Sequence, residues 1–295
     1  MKKILLTGIL LLTALVAGAQ TKIAPKMQKG MQKTYVTETV TTIAGQKPIT
    51  MTVETQYTVT DATADGYVLD ATVTDVQTDA DKNDMVGRIV SLSKEMLKNV
   101  KTSLATDKDG KVTKIFNFED VKSGAKKIID KALEEVTAIP GFSKDMLEEQ
   151  YVGQLTEQAI TQRMQMVGIP LALNGKTIST GMQDEYLNQG LKMKRTFTVQ
   201  KDGSIQAAST IDMSPAEMKQ MIIAQIEKLM PAPQADMIKQ NIDAVLASGM
   251  LKFKMDGKET YTFQADGWVS SITSEAISDT MGQKTTVKST VRLKQ

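Results

Sequence analysis

The chain has 295 residues, 41% of them apolar and only 4% aromatic, with 36 Lys and Arg against 34 Asp and Glu and with neither histidine nor cysteine. So even a charge balance leaves no basic excess of the kind that tracks a phosphate backbone, and nucleic acid is not an expected partner. Without histidine or cysteine there is no Ser-His or Cys-His nucleophile, no imidazole or thiolate metal site and no disulfide.

The chain opens as MKKILLTGILLLTALVAGAQ, with Lys2 and Lys3 ahead of an apolar run from Ile4 to Val16 and the small residues Ala17, Gly18 and Ala19 behind it. A charged head, a short apolar core and a small-residue exit read as a signal peptide over residues 1–19, cut after Ala19. The run is too short for a membrane span of roughly 20 residues. Cleavage removes Lys2 and Lys3, so the exported chain is expected to be neutral, periplasmic or secreted, and not an integral membrane protein. With no cysteine to acylate, it carries no lipid anchor of the lipoprotein type.

Three runs rich in Thr, Val and Tyr follow: 34–43, 49–60 and 66–76. Met51, Val53, Thr55, Tyr57 and Val59 recur with period two, the mark of a half-buried strand. The connections are short and made of turn formers, so antiparallel hairpins are expected. Asp-Gly occurs at 65–66, 109–110, 202–203, 256–257 and 266–267, and as a loop it favours the primed turns of hairpins. Five such turns predict a large meandering antiparallel sheet.

Helical periodicity interrupts the strands. Residues 84–100 place Val86, Ile89, Val90, Met96, Leu97 and Val100 on one stripe, and 119–136 do the same with Val121, Ala125, Ile128, Ile129, Leu133 and Val136. A further block is predicted from Ser143 through Leu155, Ile160, Met164 and Val167, ending at Gly168 and Pro170. The next opens on SPAE (214–217), where Ser214 caps, Pro215 suits the first turn and Glu217 bonds back to the cap. It continues through Met218, Met221 and Ile222, breaks at Pro-Ala-Pro (231–233) and resumes from about Gln234 to Ala247. Strands return as 250–255, 259–265, 268–277 and 284–293.

The stretch KDGKVTKIFNFEDVKSGAKKIID (108–130) recurs in pattern as KDGSIQAASTIDMSPAEMKQMII (201–223). Each copy reads as strand, Asp-Gly turn, strand and amphipathic helix. Two origins are open, a true duplication into pseudo-repeats at about 30–140 and 141–295, or chance recurrence of a common unit. The predicted class is α+β: one domain over 20–295 with a large curved antiparallel sheet, half-barrel in character, and two helical insertions packed on one face.

This layout of export signal, roughly ten or eleven antiparallel strands with Asp-Gly hairpins, and two helical excursions resembles uncharacterised secreted proteins of Gram-negative (Bacteroidetes-type) envelopes. More loosely it is similar to the unclosed half-barrel of periplasmic lipoprotein carriers and mycobacterial lipid-binding lipoproteins. That resemblance implies an apolar cavity between curved sheet and helical lid that shelters acyl chains. It is a likeness of architecture, and no residue-level motif carries across.

Catalytic motifs are few. Ser91-Lys94 and Ser123-Lys126 match S-x-x-K, but neither S-D-N nor K-T-G accompanies them. NGKTI (174–178) lacks the earlier glycine of a phosphate loop, whose place is Pro170, and reads as a turn. Asp79, Asp81 and Asn83 match the first ligand positions of a calcium loop, but Asp84 stands at the required glycine and Val90 at the required glutamate. The plainer reading is a polar turn into a helix, and no metal or other cofactor is expected.

Methionine is the notable enrichment, with 19 in the chain and Met164, Met166, Met218, Met221, Met230 and Met237 on the helical blocks. Flexible thioethers suit surfaces that accept apolar ligands of varied shape, and they also fill ordinary cores. The expected function is non-enzymatic binding of a lipid or hydrophobic small molecule between sheet and lid, lined by Met164, Val167, Met218, Met221, Ile222, Ile128 and Leu133. The competing expectation is a structural or interaction module of the cell envelope, with a fully packed core and a protein partner.

Overall fold

A computed structural model describes residues 20–81, 91, 94, 97–136, 155–164, 168–188, 191–211, 213–229, 232–247, 253–280 and 283–294. In chain order the strands are β1 (Thr21–Lys22), β2 (Gln32–Ile43), β3 (Ile49–Ala62), β4 (Gly66–Thr78), β5 (Lys101–Asp107) and β6 (Val112–Ile115). Helices α1 (Phe118–Val136) and α2 (Glu157–Arg163) precede β7 (Thr177–Ile178), β8 (Gln183–Asn188), β9 (Leu191–Val199) and β10 (Ile205–Ile211). Helices α3 (Pro215–Leu229) and α4 (Ala232–Ala247) then lead to β11 (Phe253–Phe263), β12 (Val269–Thr280) and β13 (Gln283–Leu293).

The long strands are built from β-branched residues that pack on a pleated surface, and the burial of β5, β9 and β10 alternates strictly. Eleven strands make one antiparallel sheet in the order β6-β5-β4-β3-β2-β13-β12-β11-β10-β9-β8, and β1 pairs with β7 in a second, two-stranded sheet. Sheet neighbours are sequence neighbours except β2 and β13, which pair from Tyr35–Leu293 to Ile43–Thr285. The large sheet is not closed, its edges being β6 and β8.

The inner face of this open sheet is concave, because the two flanks are tied together. Asn174 donates to the carbonyl of Gly110 at the β5–β6 turn, and the amide of Gly181 donates to the carbonyl of Phe197 on β9. Eight strand spacings separate β5 from β9, about 38 Å in a flat sheet at ~4.8 Å each. Residues 174 to 181 reach at most about 25 Å when extended. The sheet must therefore curl, and the segment that ties it plugs one end. Leu171, Leu173 and Ile178 join Ile23, Met27, Tyr35, Tyr57, Leu104, Ile115, Phe197, Tyr261 and Trp268 in a single core cluster.

Four Asp-Gly pairs, at 65–66, 109–110, 202–203 and 266–267, lie at hairpin turns as expected. Asp256-Gly257 does not. It lies inside β11, paired with β10 on one side and β12 on the other, so the expected strands at 250–255 and 259–265 are one. A glycine is compatible with a turn but does not impose one when both flanks have strand partners.

Ser214 and Glu217 form the expected capping box, with reciprocal bonds of 3.2 and 2.7 Å. The helix expected to run on from Ser143 is not helical at 155–156, since Thr156 is extended and caps a helix that begins at Glu157 by accepting from the Ala159 amide. Most of 84–100 and all of 143–154 lie outside the described residues. Helix α1 lays Phe118, Val121, Ala125 and Ile129 against the main core. Helices α3 and α4 pack on each other, and their buried Ile222, Ala235 and Ile242 stand outside that core. In both copies of the recurring stretch a hairpin is followed by a helix, β5–β6–α1 and β9–β10–α3. No described helix is long and apolar enough to cross a membrane.

Candidate functional site

The concave face has two unlike halves. Near the plug it is a dry core: Val59, Leu69, Leu104, Phe197, Ile205, Tyr261 and Ile272 are fully buried. Tyr35 and Tyr57 meet edge to face at 5.8 Å, and the Tyr35 hydroxyl donates to the carbonyl of Val269. Burial, with smaller contributions from Tyr57 and Asp266, pushes the Tyr35 hydroxyl far up, so it remains a donor. Trp268 is buried in this core, and its ring N–H donates to the carbonyl of Lys26.

One pleat further from the plug the face changes character. Register places Glu259, Ser274, Ser289, Thr39 and Met51 in one row across β11, β12, β13, β2 and β3, and Gly257, Ala276, Val287, Thr41 and Ile49 in the next. Small and hydroxyl-bearing side chains dominate both rows. Apart from Glu259, these residues are only half-buried, and Thr39 and Ser289 bond to each other at 3.0 Å. The connection from β10 to β11, which carries α3 and α4, leaves from this end, where the β2–β3 and β12–β13 hairpins also lie.

At the floor of this half lies a buried ionic cluster. Arg195 on β9 is 2% exposed, and its Nε and Nη2 donate to the two oxygens of Asp184 on β8 at 2.9 and 2.8 Å. Lys176 also donates to Asp184. Nη1 of Arg195 faces Glu259, 3% exposed, at 3.7 Å, and the Tyr261 hydroxyl donates to the same Glu259 oxygen. The guanidinium lies between the rings of Phe197 and Tyr186, 4.9 and 5.4 Å from their centroids.

Burial alone would discourage ionisation of Asp184, but the hydrogen bonds and charges of Arg195 and Lys176 outweigh it and hold its carboxyl below the usual carboxylate range. For Glu259 burial wins: the Arg195 charge and the Tyr261 bond offset it only in part, and its pKa is raised. Arg195 Nη1 and Glu259 Oε1 have no hydrogen-bond partner. An unpartnered donor and an unpartnered acceptor side by side are suited to holding a polar group; among the described residues no His, Cys, Asp and Glu side chains gather as a metal site.

None of these ionic residues was singled out by sequence reasoning. Their signal is phase, because Arg195 shares an alternation with Leu191, Met193 and Phe197, and Glu259 shares one with Met255 and Tyr261. A charge on the apolar phase of a strand marks an inward-facing ion.

Of the residues predicted to line an apolar site, Met164 packs half-buried against the main core beyond α2. Ile128 is half-buried and Leu133 buried on α1, while Met221 is half-buried and Ile222 buried on α3. Leu133 and Ile222 stand outside the cluster that Met164 joins, so the described members occupy separate places. Val167 and the side chain of Met218 lie outside the described residues. Asp79 of the calcium-like stretch accepts from the Thr50 amide at 2.6 Å, while Asn83, Asp84 and Val90 lie outside the described residues. The NGKTI stretch is a turn leading into β7, as expected.

Fold and site together define an open, curled antiparallel sheet, plugged at one end, with a buried ionic cluster at mid-height. No protein-family model matches the sequence, and no curated protein matches it. Among solved structures, a lipovitellin structure concerned with lipid-protein interactions is similar over 92% of this chain at 9% identity and a TM-score of 0.39. The chain spans about a quarter of lipovitellin's length, 26%. An S-type phycobiliprotein lyase from Guillardia theta is similar over 89% of this chain and 87% of its own, at 8% identity and a TM-score of 0.27.

Proposed function

We propose that the protein is an exported, non-catalytic binding protein that shelters an apolar or lipid-like ligand on the inner face of its curled sheet, beside the helices that leave the unplugged end. One observation supports this above all. The rows beyond the plug, from Met51 and Thr39 to Ala276 and Gly257, are half-buried and lined by small residues, whereas the rows beside the plug are filled. Amphiphiles bury acyl chains against such surfaces at about 25 cal/mol per Å². The periplasm or extracellular space is the proposed location, on the strength of residues 1–19.

Expression with the leader, followed by N-terminal sequencing, should give a chain beginning at Gln20. Native mass spectrometry of that chain should show a co-purifying lipid. Re-addition at about 100 times Kd after delipidation should restore about 2.7 kcal/mol of stability. No lipid adduct, no ligand-dependent shift in Tm and capture of an envelope protein instead would favour the alternative, an interaction module; the dry core around Trp268 fits that reading equally well.

A further inference from the structure

The floor of the half-buried rows holds buried polar atoms without partners. We infer that the site takes an uncharged, hydroxyl-bearing amphiphile, such as a long-chain alcohol or a monoacylglycerol, whose hydroxyl bonds to Arg195 and Glu259. This rests on the ligand-binding reading above and adds the chemical class of the ligand to it.

Three buried atoms lack partners there, Arg195 Nη1, Glu259 Oε1 and the Ser209 Oγ beside them, and the first two are complementary: Arg195 Nη1 only donates, and an ionised Glu259 Oε1 only accepts. Leaving such groups unpaired costs about 1–3 kcal/mol each. A hydroxyl accepts from one and donates to the other. Charge excludes the common alternatives. Arg195 and Lys176 are balanced by Asp184 and Glu259. A carboxylate or phosphate would add an unmatched negative charge beside two carboxylates, and an ammonium would face Arg195, either at the high cost of an unpaired buried ion.

A glycine stands beside these atoms. Gly257 stands on the same face of β11 one pleat from Glu259, opposite Ser209 and Ala276. A methyl group at Gly257 would meet the Ser209 Cβ at 3.5 Å, ordinary van der Waals contact, so a larger side chain there would press on the Ser209 that pairs with Arg195. Glycine inside a paired strand commonly marks such a close approach.

The delipidated full chain, titrated with oleyl alcohol, its methyl ether and oleate by displacement of a fluorescent acyl probe, tests this directly. The alcohol should bind about tenfold tighter than the ether or the acid, the worth of about one hydrogen bond. Glu259→Gln removes one negative charge and should reverse the order in favour of oleate. Gly257→Val should erase the preference for the alcohol while leaving binding of the ether within about twofold. Equal affinities of the wild-type chain for alcohol and ether, with the orphaned atoms served by water alone, would overturn the inference and leave the ligand-binding reading standing. Failure of all three ligands to bind would overturn both. Should either variant not fold, the wild-type series decides by itself.

Discussion

Arg195 is the residue on which the interior of β8–β11 turns. It neutralises Asp184 through two bonds and faces Glu259, all within the sheet's inner face. Arg195→Met fills similar volume but leaves Glu259 without its facing cation and Asp184 with Lys176 alone, in a low-dielectric site. The expected loss is about 3–5 kcal/mol by chemical denaturation. The two carboxylates also give stability opposite dependences on pH. Asp184 has a lowered pKa when folded, so its contribution is complete above the ordinary carboxylate value and fades as pH falls through the folded value. Glu259 has a raised pKa, so its contribution is complete below its ordinary value and fades as pH rises through the raised one. Denaturation across the acid range should therefore show a flattened acid limb in Asp184→Asn. The stability of wild type relative to Glu259→Gln should decline as pH rises above the ordinary glutamate value. A difference that rose instead would mean that Arg195, not burial, governs Glu259.

At the scale of elements, local chemistry was decisive wherever a backbone constraint lay within a few residues. The Ser214–Glu217 capping box satisfies donors that any helix start leaves open, and it was legible as four letters. Four of the five Asp-Gly pairs made turns for the same reason. The fifth did not, because strand pairing on both sides of Gly257 overrode its local preference. Gly66 shows a constraint that no local pattern reveals. It begins β4 opposite Asp107 of β5, where a Cβ would stand 1.9 Å from the carbonyl oxygen of Thr106. Gly66→Ala must therefore push β4 and β5 apart, with an expected cost of about 3 kcal/mol or more. Hydrogen exchange should localise the loss to Tyr67–Thr72 and Lys101–Asp107; unchanged protection there would show that the backbone yields at no cost.

For the molecule as a whole, stability depends on a plug that closes one end of an open sheet. Leu173 is 1% exposed and sits in the core cluster with residues from both flanks of the sheet. Leu173→Ala should cost about 2–5 kcal/mol. Because the plug ties β5–β6 to β9, the loss should appear as one shifted transition; separate unfolding of the two flanks would refute the tie.

Alternating Thr, Val and Tyr, the capping box, most of the turns, the helix break near Pro-Ala-Pro and the absence of histidine and cysteine were all determined by the sequence alone. Each depends on residues a few positions apart or on none at all. The partnering of β2 with β13, the curl of the sheet and the burial of Arg195 beside Glu259 were decided only by tertiary structure. Tyr35 and Leu293 meet across nearly the whole chain, and the phase that carries an ion inward means burial only once other segments cover that face. A strand pattern specifies which side chains share a face, while the energy of a charge on that face depends on what distant residues exclude water from it.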